Sequence, residues 1–159
     1  MNRTYLLIGG NVGNRLKNLR AARKQITIKC GVIIKQSAIY ETAAWGKTDQ
    51  SAFLNQVLLI ETEFSAQEVL HRILKAELEM GRMRNEKFGP RTIDIDILFF
   101  NDDVIHEEGL SIPHPQLHLR KFALEPLNEI APDLKHPVSG KTVQEMLSEC
   151  DDSLLVKKL

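Results

Sequence analysis

Apolar and polar positions change period several times along the chain, and each change marks an element. Tyr5 to Ile8 is a short continuous apolar run closed by Gly9-Gly10, the pattern of a buried strand. Asn14 can cap a helix running to about Lys29, with Leu16, Leu19, Ala22, Arg23 and Ile26 on one side and Gly31 at its end. Val32 to Tyr40 is rich in β-branched residues and reads as a strand, and residues 43–52 read as a polar loop. Phe53 to Phe64 is the next strand. Ser65-Ala66-Gln67-Glu68 is a capping box, in which hydroxyl and carboxylate each satisfy an amide at the helix end. The helix it opens should turn Val69, Leu70, Ile73, Leu74 and Leu78 inward and stop at Gly81. Residues 82–91 form a charged loop, Thr92 to Phe100 a strand, Asn101-Asp102-Asp103 a turn, and Val104-Ile105 a short returning strand.

That order, β-α-β-β-α-β, is the ferredoxin-like, split βαβ pattern of an α+β fold. It predicts a mostly antiparallel sheet with helices packed on one face. Pro113, Pro115, Pro126, Pro132 and Pro137 break the remaining sixty or so residues into an extension of short helices and loops. One of those helices starts at a second capping box, Thr142-Val143-Gln144-Glu145. No linker composition is visible, so residues 1–159 are expected to form a single domain.

Composition narrows the function classes. Lys plus Arg and Asp plus Glu are balanced at 21 each, which argues against general binding to nucleic acid or to membrane surfaces. The first ten residues hold too short an apolar run for a signal peptide or a span. Cys30 and Cys150 form no Cys-x-x-Cys arrangement and read as idle thiols of a cytoplasmic protein, with a lone disulfide as the other reading. No large apolar surface stripe is evident, so a monomer is expected.

The strongest chemical signal is Thr92-Ile93-Asp94-Ile95-Asp96-Ile97-Leu98. Strand side chains alternate faces, so the isoleucines point one way and both aspartates the other. Two bare carboxylates at about 7 Å repel by roughly 2.4 kcal/mol at an effective dielectric of about 20. A shared divalent cation removes that cost; a wet strand face is the alternative. Just upstream, Arg82, Arg84, Lys87 and Arg91 stand with one acid, Glu86, and with Gly89-Pro90 shaping the entry to the strand. Cations leading into paired carboxylates suit a metal-bound polyphosphate, although a solvated loop with Arg–Asp ion pairs would look the same. Gly9-Gly10-Asn11-Val12-Gly13 lacks the ending of a P-loop and reads as a tight strand-to-helix turn. His114 and His118 have helical zinc spacing, but Pro115 between them and the missing third ligand favour His114 as a phosphate donor.

Lys87-Phe88-Gly89-Pro90-Arg91-Thr92-Ile93-Asp94-Ile95-Asp96-Ile97-Leu98 resembles the 6-hydroxymethyl-7,8-dihydropterin pyrophosphokinase family of the folate pathway. The likeness extends over Ile8–Asn11, Tyr40–Thr42 with Phe53–Gln56, Glu77–Arg84, Ile112–Pro115, Arg120–Phe122, Pro126-Leu127 and Glu129–Pro132. It implies attack by the pterin hydroxymethyl oxygen on the β-phosphorus of ATP, transfer of diphosphate and release of AMP. It implies two magnesium ions on Asp94 and Asp96, one bridging the α- and β-phosphates and one bridging β and γ. By matching positions, Arg82, Arg84, Lys87, Arg91, His114 and Arg120 should meet phosphates. Glu77, Ser111 and the backbone of Ile97 should serve the nucleotide. Phe53 and Phe122 would sandwich the pterin, whose edge Asn55 and the backbone of Thr42, Ala43 and Ala44 would read, with Trp45 as a cover. Core packing is the alternative for the two phenylalanines. Three positions depart from the family pattern: Ala43-Ala44 where proline is common, Lys87 where arginine is common, and Gly109 where some members carry arginine. Two other classes share parts of the pattern, a ferredoxin-like nucleic-acid-binding module and a metal-dependent phosphohydrolase. The first would be repelled by two aspartates without metal, and the second would release free phosphate. Loops 43–52 and 82–91 are expected to close over the substrates.

Overall fold

A computed structural model describes residues 1–43, 51–81 and 92–159. In chain order the elements are β1 (Asn2–Gly10), α1 (Arg15–Lys29), β2 (Val32–Gln36), β3 (Tyr40–Thr42), β4 (Phe53–Thr62), α2 (Ala66–Glu79), β5 (Asp94–Phe100), β6 (Ile105–Glu107), β7 (Leu110–Ile112), α3 (Lys121–Ile130), α4 (Val143–Glu149) and β8 (Val156–Lys158). A short 3-10 turn, Leu117–Leu119, precedes α3. Every strand pairing is antiparallel. The main sheet runs β5-β1-β4-β3-β8, with β2 also paired to β4.

The helix starts follow from their caps. Asn14 Oδ1 accepts from Lys17 N at the head of α1. Ser65 and Glu68 form a reciprocal capping box on α2, as Thr142 and Glu145 do on α4. The inner side of α2 differs from expectation at its end. Ala76 and Glu77 are buried there, whereas Leu78 is 72% exposed. Leu78 is nine residues, two and a half turns, beyond the buried Val69, which puts it on the opposite side. On α1 the buried residues are Leu19, Ala22 and Ile26, and Leu16 faces out.

The single strand expected over Val32–Tyr40 is two strands. Gln36 pairs with Leu58 and Tyr40 with Asn55, so four steps on one side meet three on the other. Ser37 fills the break. Its N–H donates to Val57 O and its Oγ accepts from Val57 N, while Gln56 Nε2 donates to Ser37 O. Side-chain hydrogen bonds thus replace ladder bonds at the bulge. The returning strand after Asn101–Asp103 also differs. Val104 lies outside it, and β6 pairs with β7 and not with β5.

Both faces of the sheet are covered. One face carries Leu6, Ile8, Leu54, Leu58, Ile60, Ile95 and Ile97 against α1 and α2. Leu7, Val57, Leu98 and Phe99 on the other meet α3 and α4. The two-helix layer is the one the alternation predicts, and the C-terminal extension closes the opposite face. The unbroken run Leu6-Leu7-Ile8 needs this, because it offers apolar side chains to both sides. In β5 the register with β1 slips by one, Leu6 facing Ile97 and Tyr5 facing Phe99. Leu98 is the extra residue. This bulge sends both Leu98 and Phe99 to the α3/α4 face, where Phe99 makes edge contacts with Tyr5 and His136.

Candidate active site

Cross-strand partners share a face, so the register builds the site. Tyr40, Asn55, Gly9 and Asp94 lie in one row across β3, β4, β1 and β5. Thr42 and Phe53 form the next row toward one end, and Val57, Leu7 and Asp96 the next toward the other. Helices α3 and α4 sit over the Val57–Leu7 end. The opposite end of the same face therefore brings together Thr42, Phe53, Asn55, Asp94 and Asp96. Ile93, Ile95 and Ile97 are buried behind the aspartates, which are themselves half-buried.

Gly9 is required by close approach. A Cβ there would overlap Asn55 Oδ1 and lie 2.8 Å from Leu54 O. The Asn55 side chain therefore lies over the gap between β4 and β5, on the side of Asp94. Asn55 is 5% exposed on the strand face it shares with Phe53, Val57 and Leu59. The hydroxyl of Thr42 is buried and has no hydrogen-bond partner among the described residues. Leaving such a group unpaired costs about 1–3 kcal/mol, which a bound polar ligand would recover.

The segment following β7 approaches the aspartates through His114, whose ring feels the charge of Asp94. His114 N donates to Leu98 O, fixing this segment to the bulge of β5. His114 Nδ1 accepts from Gln116 N at 3.2 Å, which leaves the ring proton on Nε2. Burial, reinforced by the Arg120 guanidinium and opposed by Asp94, pushes the His114 imidazole down to about 4. At neutral pH it is an uncharged Nε2–H donor. Arg120 donates to Gln116 Oε1 at 2.5 Å, and its guanidinium stands 5.7 Å from the centre of the Phe122 ring. Phe122, in the first turn of α3, packs partly into the core beneath that helix.

The remaining nucleotide candidates lie around the outer edge of β5. Glu77 is 1% exposed and its Oε2 accepts from Ile95 N at 2.7 Å. Alternation along the strand directs the N–H and C=O of Ile97 to that same outer edge. Ser111 is exposed at the centre of β7, opposite His106. Ala43 borders the Thr42 end. Arg82, Arg84, Lys87, Arg91, Ala44 and Trp45 lie outside the described residues.

Two positioning groups are not assigned a role from the sequence, although Tyr40, Glu41, Glu129 and Asn11 fall within the segments of family likeness. Tyr40 Oη donates to Glu129 Oε1 at 2.7 Å, and Ala38 N reaches the same carboxylate, tying α3 to β3. Burial, then the Glu129 contact, holds the Tyr40 phenol far above its ordinary range. Arg15 donates to Glu41 Oε2 and Ala52 O, and Asn11 Nδ2 donates to Ser51 O, so both ends of the 43–52 segment are anchored beside β1. Polar residues in turns and helix faces reveal such partners only when the chain is folded.

Two carboxylates offer hard oxygen ligands on one face, and no cluster of three such side chains occurs among the described residues. That donor set fits magnesium, which takes one or two carboxylates and completes its shell with water and phosphate oxygens. No described helix is long and apolar enough to cross a membrane.

Known proteins resemble the chain over most of its length. The chain is 40% identical over 154 residues to a 2-amino-4-hydroxy-6-hydroxymethyldihydropteridine pyrophosphokinase of Methylorubrum extorquens, covering 96% of each chain. The protein of that name in Aquifex aeolicus is 43% identical over 145 residues, covering 91% of this chain and 90% of its own. A solved HPPK-DHPS of Plasmodium falciparum superposes with a TM-score of 0.77 at 21% identity, over 93% of this chain and 42% of that one, which speaks for the fold. Residues 5–132 match the family described as 7,8-dihydro-6-hydroxymethylpterin-pyrophosphokinase (HPPK), and the chain belongs to that family.

Proposed function

We propose that the open end of the α3/α4 face is where this chain transfers diphosphate from ATP to the hydroxymethyl group of 6-hydroxymethyl-7,8-dihydropterin, releasing AMP. The observation that carries the reading is the row Asn55–Gly9–Asp94. It sets an amide and a carboxylate two strands apart, about 9–10 Å, on one sheet, the spacing that a pterin reader beside a metal ligand would use. A pterin on Asn55, between Phe53 and Phe122, would direct its hydroxymethyl arm toward Asp94 and Asp96. Thr42 and the backbone of Ala43, with Ala44 and Trp45, would complete its edge.

Phosphoryl transfer through a loose transition state needs alignment and charge neutralisation more than a strong base. Asp94 and Asp96 would hold two magnesium ions, which supply Lewis-acid neutralisation of the phosphate oxygens. The Nε2–H of neutral His114 and the Arg120 fork would donate to phosphate oxygens, joined by Arg82, Arg84, Lys87 and Arg91. Glu77, Ser111 and the outer-edge backbone of Ile97 would seat the nucleotide. In the transfer, the hydroxymethyl oxygen bonds to the β-phosphorus as the bond from that phosphorus to the α,β-bridging oxygen breaks. That oxygen leaves with AMP. The whole chain would act as one domain, a cytoplasmic monomer.

The test is product identity. With magnesium, ATP and the pterin, AMP and pterin diphosphate should appear together, and neither without pterin. ADP would mean an ordinary kinase, and free phosphate a hydrolase. Asp96→Ala should lower turnover at least about a thousandfold while circular dichroism stays unchanged.

A further inference from the structure

On the other side of the sheet, the C-terminal end of α1 and the outer side of α2 enclose a cavity of about 290 Å³ lined by Lys29, His71, Arg72 and Lys75. We propose that this cleft is a second anion site, taking a small phosphate-bearing ligand independently of the Asp94/Asp96 face.

Three of the four lining residues, Lys29, Arg72 and Lys75, are Lys or Arg. Lys29, Arg72 and Lys75 face one partnering carboxylate, Glu79, which pairs with Lys29 Nζ at 3.0 Å. Arg72 is held in place and only partly used. Its Nη1 donates to Lys29 O, the open carbonyl end of α1, at 2.9 Å, and its guanidinium lies 3.8 Å over the Phe64 ring. One N–H is thereby spent and the plane is fixed, while the rest of the fork makes no hydrogen bond among the described residues. A guanidinium immobilised by stacking, with donors to spare, suits bidentate recognition of phosphate. Lys75 is four residues after His71, so the two stand side by side on α2.

The surroundings add to this field. Residues 1–40 contain eight Lys or Arg and no Asp or Glu, in a chain of zero net charge. Six of the eight lie on α1, whose C-terminal residue Lys29 lines the cleft, although Arg15 at its other end is paired with Glu41. The volume lies at the lower end for ligand cavities, which fits phosphate or diphosphate rather than a whole triphosphate nucleotide. A free diphosphate and a phosphate ester such as AMP offer the same oxygens, and two titrations distinguish them.

The experiment follows the ring signals of His71 and His114 by NMR in the full chain without magnesium, during titration with inorganic diphosphate or with AMP. The expected result is a saturable His71 response with a dissociation constant near 1 mM or below. Lys75→Gln, an exposed change, should weaken it several-fold, and Arg72→Gln with Lys75→Gln at least tenfold, with the His114 response and pyrophosphokinase turnover unchanged. A response to diphosphate alone identifies a free anion, and an equal response to AMP a phosphate ester. The proposal is overturned if His71 is silent to both ligands, or if its response is the same in Lys75→Gln and in the double variant as in the wild type.

Discussion

Gly9 shows how one missing side chain sets a site. It lies between Asn55 and Asp94, and the space a Cβ would fill is occupied by the Asn55 amide. Gly9→Ala should therefore push Asn55 aside and raise the KM for pterin about tenfold or more. The accompanying loss of stability is about 1–3 kcal/mol, because a packed neighbour must move. A variant whose pterin KM matches the wild type would show that Asn55 does not read the pterin. Cys30 illustrates a residue with a stability role alone. Burial raises its thiol from 9.0 to about 11. The unfolded thiol ionises first, so the Cys30 contribution is constant below about pH 9 and stability falls between pH 9 and 11, by about 2–3 kcal/mol from this group. Urea midpoints should fall between pH 9 and 10 in the wild type and less so in Cys30→Ala, the buried Tyr40 phenol adding its own fall above pH 10 in both. Native Cys30 should also resist a thiol reagent that reaches the half-exposed Cys150.

At the scale of elements, β5 matters most because it forms an end of the main sheet and carries both aspartates. One outer N–H, that of Ile95, is satisfied by the buried carboxylate of Glu77 on α2, so the helix holds the strand that holds the metal ligands. Glu77→Ala should cost about 1.5–3 kcal/mol by thermal unfolding, since a charge-assisted bond to a buried amide is lost. Turnover should fall further than the fraction unfolded explains. The cap of α2 is a simpler case: Ser65→Ala should lower stability by about 1 kcal/mol and leave kcat untouched, because the cap lies far along the helix from Glu77.

Across the whole molecule, the extension after β7 turns a two-layer fold into one with both sheet faces covered. Among the described residues it does not cover the end where Thr42, Phe53, Asn55 and the aspartates gather. Its attachment includes the Tyr40–Glu129 bond and the backbone bond from His114 to Leu98. A double-mutant cycle of Tyr40→Phe and Glu129→Gln should give a coupling energy of about 1–2 kcal/mol in denaturant unfolding. Additive effects would mean that the Tyr40–Glu129 bond contributes nothing to holding α3 on the sheet.

Much of this was already written in local pattern. The capping boxes at Ser65 and Thr142, the helix ends and the alternation of Asp94 and Asp96 with isoleucine depend on neighbours a few residues away, so period and residue type alone determined them. The densely matched Gly-Pro-Arg-x-x-Asp-x-Asp segment likewise carried the family. Tertiary structure decided what local period cannot encode: the breaks at Ser37 and Leu98, the outward turn of Leu78 beside the buried Glu77, and the covering of the second face by α3 and α4. Each depends on groups far apart in sequence, Ser37 with Val57, Tyr5 with Phe99, Glu77 with Ile95. A bulge or a buried carboxylate is stable only when its distant partner is in place, and so was the meeting of Asn55 with Asp94 across Gly9.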